Sequence, residues 1–169
     1  MTGVVNAATR SRKRLPGHDP GTNVEKRNAA MSSEQIGPFL GTWILDLDES
    51  EFDQSDLPQA ATCRIEEEFG LVTIRMSIIS ASGEEISGEI TGVPGAPGAR
   101  LSESGLADRL LLYFEDEQTL TSEAKRGNLT LMTARRRLSD DGQSLEVEQS
   151  VEVPGQGSVV NTGIYRRAQ

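Results

Sequence analysis

The side chains that most often carry catalysis or bind metals are scarce in this sequence. Its 169 residues include one histidine and one cysteine, His18 and Cys63. A zinc site or a Cys–His nucleophile needs several such groups close together, so we predict no metal site. No glycine-rich loop has the lysine and the following helix that a phosphate site requires. We therefore predict that the protein works without a cofactor.

Polar residues at positions that otherwise belong to apolar faces are the remaining candidates for chemistry. Glu67 shares its alternation with Ile65, and Gln149 shares its alternation with Val147. Each could hydrogen-bond a carbonyl or hydroxyl group of a bound molecule, so Gln149 and Glu67 are the candidate catalytic residues. The alternative for each is a hydrated position, or a backbone partner, at one end of the fold.

Three consecutive arginines, Arg135, Arg136 and Arg137, must point to alternating faces if they lie on a strand. We expect the outward ones to form surface ion pairs with carboxylates such as Glu146 or Glu148, which stabilise little. An inward arginine would instead be an anchor for a ligand.

The elements that position these residues are predicted to be β-strands, because apolar and polar residues alternate almost throughout from Gly41 onward. The connections are short and rich in turn residues, so successive strands should be antiparallel neighbours. Such a meander closes into a barrel or folds into a sandwich, and we favour the barrel because closure removes exposed edges. The predicted fold is all-β, an eight- to nine-stranded antiparallel up-and-down β-barrel. The predicted strands are residues 42–48, 61–69, 71–80, 84–91, 108–115, 119–126, 128–138, 144–153 and 158–167, with a short extra strand near Leu101.

An eight-stranded barrel is just wide enough to hold one small ligand, so its inward residues are the candidate substrate-binding residues. A solidly packed interior is the alternative. The predicted substrate-binding residues are Ile65, Phe69, Ile74, Met76, Leu112, Tyr113, Phe114, Leu131, Val147 and Tyr165.

Charge and composition argue against several classes of partner. The net charge of −9 repels phosphate backbones, so nucleic acid is not an expected partner. The apolar runs are far shorter than the roughly 20 residues of a membrane-spanning helix, so no membrane partner is expected. A lone cysteine and the lack of a recognisable secretory signal favour the cytoplasm. The oligomeric state is not predicted.

The first 31 residues differ from the rest because they contain no Phe, Trp, Tyr or Ile. Such a segment cannot bury a face of its own. We expect a flexible basic tail over residues 1–31, which could close over the barrel as a lid or be an inert extension. The barrel domain is expected over residues 32–169.

The only tryptophan, Trp43, lies in the motif "GTW" at the start of the first predicted strand, and "YRR" at residues 165–167 ends the last one. These motifs, and most of residues 40–168, resemble the lipocalin-like (calycin) barrels, including small bacterial lipocalin-like proteins. The resemblance implies that Gly41 and Trp43 close one end of the barrel and that Arg166 or Arg167 lies across the indole. Such stacking is worth about 0.5–2 kcal/mol.

Two main functions fit this barrel. One is a carrier or sequestering protein for a hydrophobic small molecule. The other is suggested by a resemblance in architecture to the spirotetramate- and spirotetronate-forming cyclases, which close a polyketide ring by an intramolecular (4+2) cycloaddition. Holding diene and dienophile in one near-attack conformer can supply about 7–11 kcal/mol without a nucleophile. We prefer the cyclase to the carrier, and a purely structural barrel is the third hypothesis.

Overall fold

The computed structural model describes residues 34–52, 56–97, 99–100 and 107–169, with the backbone alone at 99–100. A short 3-10 turn, Gly37–Phe39, precedes ten strands. The predicted tail, residues 1–31, lies outside the described residues. The strands are β1 (Gly41–Phe52), β2 (Ala60–Glu68), β3 (Leu71–Ile79), β4 (Glu85–Gly92), β5 (Ala99–Arg100), β6 (Arg109–Asp116), β7 (Thr119–Arg126), β8 (Leu129–Leu138), β9 (Ser144–Val153) and β10 (Gly157–Arg167).

All ten strands belong to one antiparallel sheet with the order β4-β3-β2-β1-β10-β9-β8-β7-β6-β5. The pairing of β1 with β10 joins the first strand to the last, and the sheet curls into a nearly closed barrel. In the described part of the chain no ladder joins β4 to β5, and the gap lies there. The predicted all-β up-and-down barrel is confirmed, with the two-residue β5 close to the predicted extra strand.

The barrel has two different ends. We call the end where β1 begins and β10 finishes the base, and the opposite end the mouth. The base is filled by a packed apolar core, and the 3-10 turn folds across it so that Phe39 is buried and lies 5.9 Å from Phe114 between ring centroids. The largest fully buried apolar side chains of this core are Trp43, Phe39, Ile36, Ile65, Ile74, Leu120, Leu145 and Val72.

The first strand departs from the predicted alternation halfway along its length. Trp43 and Leu45 face inward, but the pairing of β1 with β10 shifts register after Asp46. The Ser50 hydroxyl donates to the Asp46 carbonyl and accepts from the Ile164 amide, which fixes the bulge. Leu47, which continues the alternation of Trp43 and Leu45, is therefore 39 % exposed. A bulge changes which face the following residues occupy.

None of the helical segments within the described ranges is long and apolar enough to span a membrane.

Candidate functional site

The base is closed by Trp43 and Arg167. Trp43 is fully buried, its indole N–H donates to the Phe39 carbonyl at 2.9 Å, and the Arg167 guanidinium carbon lies 4.2 Å from its ring centroid. The same guanidinium donates to the carbonyls of Pro38, Leu40 and Gly142. The predicted contact is therefore present, and it ties together three separate segments of chain.

Gly41 makes room for this arrangement. Its φ is +122°, a conformation that side chains rarely adopt, and a Cβ atom there would lie 3.3 Å from Nη1 of Arg167. The glycine of the "GTW" motif thus allows Arg167 to reach the Leu40 carbonyl.

Arg166, the other candidate for the indole contact, points outward. It pairs with Asp46 and Glu49 and donates to the Ser144 hydroxyl. The alternation of the strand decides between the two arginines: Arg166 takes the outer face, and Arg167 turns across the base.

A partly open cavity of about 460 Å³ occupies the mouth half of the barrel. Its volume lies in the range of small-molecule sites. The lining residues are Leu45, Phe52, Asp56, Pro58, Ala61, Met76, Ile78, Ser80, Ala81, Ser82, Ile86, Val147, Gln149, Val151, Asn161, Gly163 and Tyr165.

Tyr165 and Gly163 form the inner end, or floor, of this cavity. A Cβ atom on Gly163 would lie 2.9 Å from Cε2 of Tyr165 and 3.1 Å from Cδ1 of Leu45. The lack of a side chain at Gly163 therefore leaves room for the ring of Tyr165. Because Gly163 is two residues nearer the mouth on the same strand, the ring leans from its own position toward the cavity.

A charged group lies directly beside the floor. Arg136 is 2 % exposed and is the cross-strand partner of Val147, which lines the cavity. Its Nη1 donates to the Ser122 hydroxyl at 3.1 Å and to the Ala134 carbonyl at 3.3 Å. Its Nε has no hydrogen-bond partner among the described residues.

Titratable groups around Arg136 have shifted pKa values. Burial lowers the pKa of Arg136 and raises the pKa of Tyr165 and of Cys63. The guanidinium acts in the opposite direction on both neighbours, because a nearby cation favours thiolate and phenolate. No aspartate or glutamate contributes to the shift of Arg136. Among the described residues, the side chains that interact with the buried cation are those of Ser122, Cys63 and Tyr165, and none of them is a carboxylate.

Four predicted site residues line the cavity: Met76, Val147, Gln149 and Tyr165. The amide nitrogen of Gln149 donates to the Met132 sulfur at 3.2 Å. The predicted positions of these four on the inner face are therefore correct.

Four other predicted residues face inward but lie outside the cavity lining. Ile65, Ile74 and Leu112 are buried in the packed core, and Phe114 is partly buried against it. Alternation along a strand fixes the face of a residue but not its depth in the barrel. These side chains fill the base instead of contacting a ligand in the cavity.

The predictions for Glu67 and Phe69 are wrong, because both residues lie at the β2–β3 hairpin on the base side. Glu67 is two residues beyond Ile65, which pairs with Gly41 at the start of β1. Its carboxylate accepts from the Gly70 amide at 2.7 Å, so it caps the turn. Phe69 is in the turn itself, with φ of +52° and 97 % exposure. The strand ends at Glu68, and the alternation ends with it.

Tyr113 and Leu131 are also absent from the cavity. Tyr113 alternates with the buried Leu112 and faces outward, where burial and the carboxylates of Glu123 and Glu115 raise its pKa. Leu131 lies where the pairing of β7 with β8 shifts register. Met132 takes the inward direction there, in step with Ala134 and Arg136.

The outward arginines behave as predicted. Arg137 pairs with Glu146 at 2.8 Å, and Arg135 pairs with Glu148 at 3.6 Å and with Glu115 at 2.8 Å. The hydrogen bond from Arg135, and then one from Thr121, lowers the pKa of Glu115.

Several residues of the site are missing from the sequence prediction, among them Leu45, Asn161 and Gly163. Alternation counted back from Tyr165 would have identified Gly163, two residues before it, and Asn161, four residues before it. Gly163 was missed because it has no side chain that would mark an apolar face, and Asn161 was missed because asparagine is typical of turns.

Among the described residues, no group of three or more His, Cys, Asp or Glu side chains could hold a metal ion.

Comparison with known proteins shows the fold but no family. No family model matches the sequence, and no curated protein matches it. Among solved structures, a Schistosoma mansoni fatty acid binding protein in complex with arachidonic acid matches with a TM-score of 0.51 and 15 % identity, over 80 % of this chain and 99 % of that one. A variant of the fluorescent protein UnaG matches with a TM-score of 0.50 and 16 % identity, over 79 % of this chain and 98 % of that one. The fold is that of the lipocalin-like (calycin) barrels.

Proposed function

We propose that this barrel binds a hydrophobic small molecule with an acidic group and serves as its carrier or sequestering protein. The observation that carries the proposal is Arg136, a buried guanidinium that has no carboxylate partner among the described residues and lies beside the floor of a mostly apolar cavity.

The shape and lining of the cavity support a hydrophobic ligand. Apolar side chains from six strands surround it, and burying apolar surface is worth about 25 cal/mol per Å². Among the described residues the cavity is partly open toward the mouth, while the packed base closes the other end. A molecule would therefore insert through the mouth and place its leading group near Tyr165.

The electrostatics of the floor support an acidic leading group. A buried cation is stable when an anion or strong hydrogen-bond acceptors compensate for the loss of water. Arg136 interacts with a serine hydroxyl, a backbone carbonyl and the Cys63 thiol, none of which is an anion when the thiol is protonated, and its Nε lacks a partner among the described residues. A carboxylate at the floor would interact favourably with this charge and could accept a hydrogen bond from the Tyr165 hydroxyl.

The similar fold agrees with this proposal. The Schistosoma mansoni protein holds arachidonic acid, a hydrophobic molecule with one carboxylate. At 15 % identity this agreement concerns the class of ligand that such a barrel can hold, and the argument for this chain rests on its own cavity and Arg136.

Calorimetric titration with oleic acid and oleyl alcohol tests the proposal, because the two ligands differ in the charged group alone. We expect the intact protein to bind oleic acid about tenfold or more tightly than the alcohol, as a charge-assisted hydrogen bond contributes about 1.5–3 kcal/mol. Arg136→Met should remove this preference, and Tyr165→Phe should reduce it.

Arg135→Met is the matched control, because its side chain leaves the same strand on the outer face. It should keep the preference. The proposal is wrong if the folded protein binds neither ligand, or if it binds both equally. Tyr165→Phe keeps the experiment decisive should Arg136→Met fail to fold.

The cyclase of a polyketide-type substrate is the second candidate. The observation that favours it is the amide of Gln149 on the cavity wall, where it could bond a substrate carbonyl. Turnover of a linear diene–dienophile substrate, compared between the intact protein and Gln149→Leu, separates an enzyme from a carrier.

A further inference from the structure

Two amide side chains face each other in the middle of the cavity wall. Gln149 on β9 and Asn161 on β10 are direct partners in the ladder, and both line the cavity. Directly opposite residues of an antiparallel pair have Cβ atoms about 4.5–5.5 Å apart. The two amides therefore form one polar patch on the wall.

Apolar or side-chain-free positions border this amide pair along the strands. Toward the floor the next ladder pair is Val147 and Gly163, and toward the mouth it is Val151 and Val159. Polar groups on an otherwise apolar wall lose hydration when a ligand fills the cavity, which is unfavourable unless the ligand bonds them. Each carboxamide has two N–H donors and an oxygen acceptor, more than one hydrogen bond uses, so a ligand oxygen can bond the pair while the ligand covers it.

Gln149 has a weak hydrogen-bond partner inside the barrel, the side chain of Met132. Its amide nitrogen donates to the Met132 thioether at 3.2 Å. Sulfur of this kind accepts hydrogen bonds weakly. A hydroxyl or ketone oxygen is a stronger acceptor, so exchanging the thioether for such an oxygen is favourable.

From this geometry we infer that the ligand carries a hydroxyl or ketone oxygen part-way along its hydrophobic body and that Gln149 and Asn161 bind it. The inference rests on the proposed function, since it concerns the same cavity. Asn161 stands four residues before Tyr165, about 13 Å along the strand, so this oxygen is separate from the acidic group at the floor. The ligand class is an oxygenated hydrophobic acid and not a plain fatty acid.

Titration with ricinoleic acid and oleic acid tests the inference, because ricinoleic acid is oleic acid with one mid-chain hydroxyl. The measured quantity is the ratio of the two Kd values. We expect the intact protein to favour ricinoleic acid and the ratio to fall about fivefold in Gln149→Leu and in Asn161→Leu, the size of one net hydrogen bond.

Thr162→Val is the matched control, because this polar residue follows Asn161 on the outer face of β10. It should leave the ratio unchanged. If the folded protein binds oleic acid and the ratio does not differ between it and the two leucine variants, the amide pair does not select an oxygen and the inference is overturned while the proposed function stands. If neither acid binds, the proposed function itself fails.

Discussion

Arg167 and Arg136, whose side chains do not lie on the outer face of the barrel, show how its two halves differ. Arg167 at the base stacks on Trp43 and donates to three backbone carbonyls, so its charge and its donors are used within the fold. Arg136, deeper and nearer the cavity, has an unpartnered Nε among the described residues. An arginine at the base thus uses its donors within the fold, whereas the arginine near the cavity keeps an Nε donor that is not bonded by any described residue.

The packing follows the same division. At the base, large apolar side chains fill the interior and the 3-10 turn covers them. At the mouth, the lining residues form the cavity, and Ile86 is 56 % exposed. We infer that stability is concentrated at the base, and we propose that the ligand binds in the mouth half. The following changes test this division.

The largest expected effect is that of Trp43→Ala at the base. Truncating a fully buried tryptophan costs about 3–5 kcal/mol, a large share of the stability of a small domain. We expect a melting temperature many degrees lower, or no folded protein, in thermal and denaturant unfolding.

Phe69→Ala is the control for this truncation, since it removes another aromatic side chain that is 97 % exposed. It should change the free energy of unfolding by less than about 0.5 kcal/mol. A Trp43→Ala protein as stable as Phe69→Ala would refute the assignment of Trp43 to the core.

A smaller effect is expected for Gly163→Ala at the floor. The new methyl group would lie 2.9 Å from Tyr165 and must displace its ring. Overpacking of this kind costs about 1–3 kcal/mol. We expect that loss in denaturant unfolding, together with weaker binding of oleic acid because the floor has moved.

Gly88→Ala is the matched control, because a Cβ atom on this other strand glycine meets no atom within 4 Å. It should affect neither stability nor binding. Unaltered binding in Gly163→Ala would show that the position of Tyr165 does not matter to the ligand.

The smallest effect on stability is expected from deleting residues 1–31, which lie outside the described residues. The deletion keeps Ile36 and Phe39, which belong to the core at the base, so the melting temperature should hardly change. We propose that this tail covers the mouth, and its removal should then speed the dissociation of oleic acid several-fold in stopped-flow measurements. An unchanged dissociation rate would show that the tail is not a lid.

Local sequence predicted the strands well because alternation and turn residues act over a few positions. The predicted limits of two strands, 119–126 and 144–153, equal those of β7 and β9. The alternation fails at two local irregularities: the register shift between Asp46 and Glu51, where Leu47 turns outward, and the turn at Phe69, where the inner face of β2 ends. The cytoplasmic location and the absence of nucleic-acid and membrane partners stay predictions.

The sequence by itself determined the class of fold and the face of most strand residues, and its resemblance to the lipocalin-like barrels implied that "GTW" and the end of "YRR" close the base. These features depend on alternation and on short motifs, which are local. Only the tertiary structure decided which inward residues fill the core and which line the cavity, because that depends on depth along the barrel axis. It also decided the character of Arg136, whose neighbours Cys63, Ser122 and Tyr165 come from three other strands, β2, β7 and β10, and leave its charge without a carboxylate among the described residues.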